Sequence, residues 1–107
     1  MTRIICSAIW FKDNKKHCHQ PRNIDSGFVV CGLRHHNCFN TVGVVLSLSG
    51  NENILREDKI KTVQGFLSSN NEFVTREEGF IIATEANQIK EDVEIRKSGK
   101  LYSEDIF

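Results

Sequence analysis

Alternating apolar and polar stretches divide this chain into short segments that predict a mixture of strands and helices. Ile4 to Phe11 is rich in β-branched and aromatic residues and predicts a strand, as do Phe28 to Cys31 and Ile60 to Leu67. The alternating His-Cys-His sequence at positions 17–19 predicts a further short strand that ends before Pro21. We expect Ile4–Phe11 and Phe28–Cys31 to form the centre of the sheet.

Two other segments have the spacing of helices. Between His36 and Leu48, apolar residues recur every three or four positions. Thr75 followed by Glu78 predicts a capping box, with a helix from about Arg76 to Asn87. We expect this second helix to bury its apolar residues, which are Phe80, Ile81, Ala83 and Ala86. Residues 93–95 predict a short edge strand or a loop. Together these elements predict one α+β domain over residues 1–107, an antiparallel sheet of about four strands with two helices.

The length and composition are those of a single small globular domain. The chain has 107 residues, of which 39% are hydrophobic and 26% are charged, so a packed core is expected. Lys and Arg together number 14, and so do Asp and Glu, which gives a formal net charge of zero. A general nucleic-acid binder usually has a basic excess. The balance argues against nucleic acid as a partner and leaves room for a small anion held by one or two arginines.

No membrane or export segment is evident in the sequence. The apolar stretch Ile4–Phe11 is shorter than a membrane-spanning helix and lacks the cleavage site of a signal peptide. We therefore expect a cytoplasmic protein with no membrane partner and with reduced thiols. The best interpretation of Cys31 and Cys38 is core packing, because both fall on apolar stripes.

The strongest local signal for function lies between Phe28 and Phe39. An apolar run ends at Gly32, the polar residues Arg34, His35 and His36 follow, and a helical pattern then begins. A helix start offers backbone N–H groups to an anion, and arginine adds a planar, permanently charged fork. This arrangement predicts an anion site at the junction of strand and helix.

Three catalytic or metal-binding interpretations compete with a simple binding site. Seven Cys and His residues lie between positions 17 and 38, but they show no Cys-x-x-Cys or His-x-x-x-His spacing for zinc. A cysteine nucleophile activated by His35 or His36 conflicts with the apolar setting of both cysteines. Residues 76–79 resemble a fragment of the Nudix hydrolase box, yet the upstream Gly and Glu are missing. We therefore predict no catalytic residue, no metal ligand and no cofactor.

A nucleotide clamp is the fourth interpretation. Purine bases stack on aromatic rings and arginine planes, and phosphates bind arginine. Phe66 and Phe73 lie beside turns, Arg34 and Arg76 lie at two helix starts, and Asn71 offers an amide. Taken singly, each phenylalanine is better explained by core packing.

A series of short motifs resembles a known family. The motifs are Gly32-Leu33-Arg34-His35-His36, Gln64-Gly65-Phe66, Phe73-Val74-Thr75-Arg76-Glu77-Glu78, Ala86-Asn87-Gln88-Ile89 and Leu101-Tyr102-Ser103-Glu104-Asp105, in that order. The series is similar to phage Thoeris anti-defence proteins of the first described type, which bind cyclic ADP-ribose signals made by bacterial TIR-domain enzymes and sequester them uncleaved. The chain departs from the family at Gly79, where Ala is usual, and at Asn87, where Gly is usual.

This resemblance implies a ligand-sequestering protein that is not an enzyme and that acts in the cytoplasm of an infected bacterium. It implies a small cyclic nucleotide such as glycocyclic ADP-ribose as the ligand, and a homo-oligomer, a dimer or larger, with pockets between subunits. Some relatives also bind cyclic oligonucleotides at a second intersubunit site. The expected ligand-binding residues are Arg34, His35, His36, Phe66, Asn71, Phe73, Arg76 and Arg96. The alternatives are a small nucleotide phosphohydrolase that uses His35, His36 or the Glu77–Glu78 pair, and a zinc-binding interaction module.

Overall fold

The computed structural model describes residues 1–49, 61–90 and 99–107. The described elements are β1 (Ile4–Lys12), β2 (Phe28–Gly32), α1 (His35–Ser49), β3 (Lys61–Ser68), β4 (Phe73–Thr75), α2 (Arg76–Glu85) and α3 (Ser103–Ile106). The four strands form one antiparallel sheet, so the predicted α+β class and strand number are confirmed. Residues 93–95, where a strand or a loop was expected, lie outside the described ranges.

The strands run in the order β2-β1-β3-β4. Ile9 of β1 stands opposite Val30 of β2 on one side and Gln64 of β3 on the other. The predicted central position is therefore right for β1 and wrong for β2, which lies at one edge. Local sequence patterns do not determine which strands are neighbours, because the pairing of β3 with β1 depends on contacts distant in sequence.

Both longer helices pack on the same face of the sheet. Side chains two residues apart on a strand share a face, so Ile9 and Phe11 lie on the face that α1 covers. Ser7, on that same face, is opposite Phe66 of β3, which packs against Ala83 of α2. Leu101, just before α3, is fully buried in this second cluster. Burial of these apolar side chains is the main source of stability for the two-layer arrangement.

The opposite face carries Trp10 and Phe73, whose ring centroids lie 6.1 Å apart. The loop of residues 13–27 covers this part of the face, because Trp10 Nε1 donates to the carbonyl of Ser26 at 3.0 Å. Asn23 exchanges two hydrogen bonds with the main chain of Phe73, at 2.6 and 2.8 Å. His19 has φ of 59°, a left-handed conformation that ends any extended run. The predicted strand at 17–19 is therefore wrong.

The strand that the sequence pattern missed is β4. Its three residues directly precede the capping box, so they are too few to show any alternation. The capping box itself is confirmed, since the Thr75 hydroxyl accepts from Glu78 N at 3.2 Å and the Glu78 carboxylate accepts from Thr75 N at 3.1 Å. Asn87, with φ of 56°, ends α2 just after its last turn.

Burial along α2 differs in part from the prediction. Ala83 is buried, Phe80 and Ala86 are partly buried, and Ile81 is 58% exposed, so the prediction is wrong for Ile81. Gly79 is buried instead, because a Cβ at that position would lie 3.1 Å from the ring of Phe66. This close approach lets the start of α2 lie directly on β3.

The cysteines also divide between two environments. Cys38 is buried between α1 and the sheet, as predicted. Cys31 is exposed, and the prediction of core packing is wrong for it. The reason is the edge position of β2, where Cys31 lies on the face away from α1.

Candidate functional site

A polar cleft of about 230 Å³ lies where the start of α1, β3, the start of α2 and the segment around α3 meet. Its lining residues are Arg34, His35, His36, Gln64, Arg76, Tyr102, Ser103 and Glu104. Four of the predicted ligand-binding residues, Arg34, His35, His36 and Arg76, are thus brought together from segments about 40 positions apart.

The path of the chain from β2 into α1 determines the positions of the Arg34 and His35 side chains. A Cβ on Gly32 would lie 3.0 Å from both Asn37 Cβ and Cys38 N, so a larger residue would have to displace the start of the helix slightly, and glycine lets the helix begin this close to the strand. The Asn37 side chain accepts from Arg34 N at 3.1 Å and closes the first turn. Arg34 and His35 are thereby fixed at the mouth of the cleft.

His35 is held from two sides. Its Nε2 lies 2.8 Å from the carbonyl oxygen of Gly65, and its Nδ1 lies 2.5 Å from the hydroxyl of Ser103. A carbonyl oxygen can only accept, so Nε2 carries the ring proton, and Nδ1 of the neutral ring accepts from the Ser103 hydroxyl. The ring also packs edge-on against Phe66, with 5.1 Å between centroids.

The charge state of His35 follows from this setting. Burial lowers its pKa below the usual 6.5, and the nearby positive charge of Arg76 acts in the same direction. The bond to the Gly65 carbonyl and the charge of Glu104 oppose these effects without reversing them. His35 is therefore neutral at physiological pH and serves the cleft as a hydrogen-bonding group.

Ser103 joins three parts of the fold through one oxygen. Its Oγ accepts from the backbone N–H of His35 at 3.2 Å and lies 3.0 Å from the hydroxyl of Ser7 on β1. The Ser7 hydroxyl is also 3.0 Å from the carbonyl of Leu33. Ser103 is only 4% exposed, although it forms part of the cleft wall.

Arg76 also lines the cleft, and three residues anchor its side chain. Its guanidinium donates to the carbonyl of Leu101 at 3.0 Å and to the side-chain oxygen of Gln64 at 2.6 Å. The guanidinium carbon also lies 4.6 Å from the centroid of the Tyr102 ring. Because a guanidinium has five N–H donors, these contacts orient the group and use only some of its donors.

Arg34 binds an oxygen of the chain itself. Its guanidinium donates to the main-chain oxygen of Phe107 at 2.7 Å, and Lys90 Nζ donates to the same oxygen at 3.0 Å. The predicted contribution of an open helix start is smaller than expected, because the His35 N–H already binds Ser103. The positive charge of this region therefore comes mainly from the two guanidinium groups of Arg34 and Arg76.

The other predicted contact residues lie elsewhere. Phe66 is completely buried beneath His35, and Phe73 is buried against Trp10 on the other face of the sheet. Asn71 is exposed in the β3–β4 turn, with φ of 58°. Arg96 lies outside the described ranges. Neither phenylalanine lines the cleft, because each ring fills space in the packed interior.

Individual sequence patterns missed four cleft residues, Gln64, Tyr102, Ser103 and Glu104. None of the four has a recognisable functional spacing, and their positions depend on β3 and on the docking of Leu101. These residues do belong to the series of short motifs that resembles a known family, in the motifs at 64–66 and 101–105. Those motifs converge in space because they pack around His35 and Arg76.

Neither a metal cluster nor a membrane-spanning helix is found among the described residues. No group of three or more His, Cys, Asp or Glu side chains within them is arranged to hold a metal ion. No helix in the same ranges combines the length and the apolar character needed to cross a membrane.

The fold and the cleft define a small two-layer α+β protein with a polar, arginine-lined site. The profile of the Phage T4 y16D protein family matches residues 3–107, so the chain belongs to this family of phage proteins. No curated protein and no solved structure matches the chain.

Proposed function

We propose that this phage protein binds a small phosphate-bearing nucleotide in the arginine-lined cleft and sequesters it without cleaving it. The observation that carries the proposal is that Arg34 and Arg76 line one cleft together with a neutral His35. Guanidinium groups bind phosphate oxygens through two parallel hydrogen bonds. Two arginines and one carboxylate, that of Glu104, line the cleft, so its charged side chains have a positive excess in a chain of zero net charge, and this favours a small anion over a polyanion.

The ligand that suits this cleft and the motif resemblance best is a cyclic ADP-ribose isomer such as glycocyclic ADP-ribose. Its diphosphate suits two arginines, and its ribose hydroxyls suit the amide of Gln64 and the imidazole of His36. The resemblance to Thoeris anti-defence proteins suggests the same ligand, and membership of a phage family supports the phage origin that such a role requires. The protein would then remove a TIR-derived immune signal in the cytoplasm of the infected cell.

The size of the cleft supports a pocket shared between subunits. Its volume of about 230 Å³ is below the range of roughly 300–1,000 Å³ usual for small-molecule sites. A ligand the size of a cyclic ADP-ribose therefore extends beyond the walls that one chain provides. A second copy of the chain would cover the exposed part of the ligand, so we propose a homo-oligomer.

One specific observation favours a second candidate, a nucleotide phosphohydrolase. The 2.5 Å contact between Ser103 Oγ and His35 Nδ1 has the form of a nucleophile beside a general base. However, Ser103 is 4% exposed, and the same oxygen also receives the His35 N–H. A hydroxyl whose lone pairs are engaged in the fold is a poor nucleophile, and this favours binding over cleavage.

The deciding experiment recovers the ligand after binding. The protein is incubated with cyclic ADP-ribose isomers, freed of unbound ligand by filtration, and then denatured by heat. Release of intact nucleotide in stoichiometric amount supports sequestration. Release of a ring-opened or hydrolysed product would show that the hydrolase interpretation is correct, and failure to retain any nucleotide would refute the proposed ligand.

Matched variants locate the site. Arg34→Ala and Arg76→Ala should each weaken binding in calorimetry, whereas Arg22→Ala should not. Arg22 is an exposed arginine that pairs with Glu72 away from the cleft, so it controls for loss of one positive charge. Equal affinity in all three variants would place the ligand outside the cleft.

A further inference from the structure

Two thiols lie together on the face of the sheet that α1 and α2 do not cover. Cys31 of β2 stands directly opposite Ala8 of β1, and Cys6 precedes Ala8 by two residues. Cys6 and Cys31 are therefore diagonal neighbours on one face. The two thiols lie close enough for each to shift the pKa of the other.

The other two cysteines have different surroundings. Cys38 is buried under α1 on the opposite face, and Cys18 lies exposed in the loop of residues 13–27. Within the pair, Cys31 is exposed on the edge strand and Cys6 is partly buried. This gives one thiol that meets solvent and a second that lies directly behind it.

We propose that Cys6 and Cys31 form a reversible disulfide when the protein meets a peroxide, which makes the pair a redox site separate from the arginine-lined cleft. The Cys31 thiolate attacks the terminal oxygen of the peroxide, and the O–O bond breaks to release water or an alcohol. The product is a sulfenic acid on Cys31. The Cys6 sulfur then attacks the Cys31 sulfur, forms the S–S bond and displaces water. Two electrons pass from the thiols to the peroxide, and a small thiol such as glutathione returns them.

The interaction between the two thiols gives them different reactivities. The Cys6 thiol lowers the pKa of Cys31 to about 7, although desolvation acts in the opposite direction. The interaction with Cys31, together with burial, raises the pKa of Cys6. The attacking thiol is therefore the exposed one, and the resolving thiol is held protonated until the sulfenic acid forms.

The disulfide would act on the region that supports the cleft. β2 continues from Cys31 into Gly32, where the backbone contacts the start of α1. Ser7, next to Cys6, has its hydroxyl 3.0 Å from both the Leu33 carbonyl and the Ser103 hydroxyl. A covalent link between β1 and β2 at this point fixes the strand end that positions Arg34.

Peptide mapping tests the proposal directly, because trypsin places each cysteine on its own peptide. Cys6 falls on residues 4–12, Cys18 on 17–22, Cys31 on 23–34 and Cys38 on 35–56. Reduced protein is treated with hydrogen peroxide, blocked with iodoacetamide and digested without reductant. The expected product is a linked species of peptides 4–12 and 23–34, lighter by two hydrogen atoms than their sum and abolished by dithiothreitol.

Variants supply the controls. Cys31→Ser and Cys6→Ser should abolish the linked species, while Cys18→Ser should leave its yield unchanged. Cys6→Ala should also move the midpoint pH for alkylation of Cys31 upward from about 7 toward the ordinary thiol value of 9.0. Three results would overturn the proposal: linkage of Cys31 to Cys18, dimers joined by disulfide as the main product, or oxidised Cys31 that accumulates while Cys6 stays open to alkylation.

Discussion

His35 Nδ1 and Ser103 Oγ lie 2.5 Å apart and connect the start of α1 to the start of α3 across 68 positions of sequence. This contact, with the 2.8 Å bond from His35 Nε2 to Gly65, joins three segments of the chain around a single imidazole ring. The ring is partly buried and accepts a proton less readily than a free histidine. The wall of the cleft and part of the stability of the fold therefore depend on the same side chain.

This relationship predicts a loss of stability in mild acid. The pKa of His35 is lowered in the folded state, mainly by burial, so the unfolded chain binds more protons as the pH falls below 6.5. Stability is therefore fully present above that pH and declines below it. Urea unfolding at about pH 7.5 and about pH 5.5 should show a smaller free energy of unfolding at the lower pH. In His35→Gln this difference should shrink, and an unchanged difference would assign the pH dependence to other groups.

Removal of the Ser103 hydroxyl should lower the free energy of unfolding more than removal of an exposed hydroxyl does. Ser103→Ala leaves His35 Nδ1 and the His35 N–H without their partner in a buried setting, at a cost of about 1–3 kcal/mol. Ser69→Ala is the matched control, because the Ser69 hydroxyl also accepts a backbone N–H, from Arg3, but is exposed. That control should change stability by less than about 0.5 kcal/mol. Equal effects in chemical denaturation would contradict the proposed network.

Arg34 should contribute strongly to ligand binding and modestly to the docking of the segment that ends at Phe107, whose main-chain oxygen it binds. Loss of a charge-assisted hydrogen bond costs about 1.5–3 kcal/mol, so Arg34→Ala should lower affinity roughly ten- to hundredfold. The variant should still melt cooperatively, because Lys90 continues to bind the Phe107 oxygen. Lys90→Met should weaken that tail contact while sparing nucleotide affinity. Calorimetry and thermal melts of both variants separate the two roles, and comparable losses of affinity would show that Lys90 also binds the ligand.

Two glycine substitutions should have opposite effects. A Cβ on Gly65 would lie 2.1 Å from the carbonyl oxygen of Val74 and 2.7 Å from the ring of Phe73, so Gly65→Ala must displace β4. Overpacking of this kind costs about 1–3 kcal/mol or more. Gly43 lies within α1, and a Cβ added there would meet no other atom of the described residues within 4 Å. Gly43→Ala should therefore stabilise the protein by about 0.5–1 kcal/mol. A melting temperature of Gly65→Ala that does not fall would contradict the close packing of β3 against β4, and one of Gly43→Ala that does not rise would contradict the open space beside Gly43.

Sequence patterns predicted the local features of this fold well. The limits of α1 and α2, the capping box at Thr75 and the strand at Ile4–Lys12 all follow from spacing and propensity within about ten residues. The pattern failed where structure depends on distant partners. The segment 17–19 alternates like a strand, yet it pairs with none of the described strands and is held by the turns of the loop around it. β4 has only three residues and forms because β3 offers it an edge.

In the candidate site, too, local patterns predicted some residues correctly and failed for those whose positions depend on distant parts of the chain. Arg34, His35 and His36 were predicted from a polar cluster between a strand and a helix, and they lie together in the cleft. Phe66 and Phe73 were expected near a ligand because they flank turns, but hydrophobic burial determines where such rings lie. The bond between His35 and Ser103 joins residues 68 positions apart, and no local pattern predicts such a contact.

The wide sequence separation around His35 has a consequence for synthesis. The ring takes one partner 30 positions downstream and another 68 positions downstream, and closing such loops costs chain entropy before any contact stabilises them. A growing chain therefore has no complete cleft until the segment from Leu101 to Phe107 has left the ribosome and docked. The walls of the cleft are therefore complete only after the four described strands, which all precede α2 in the chain, have been synthesised.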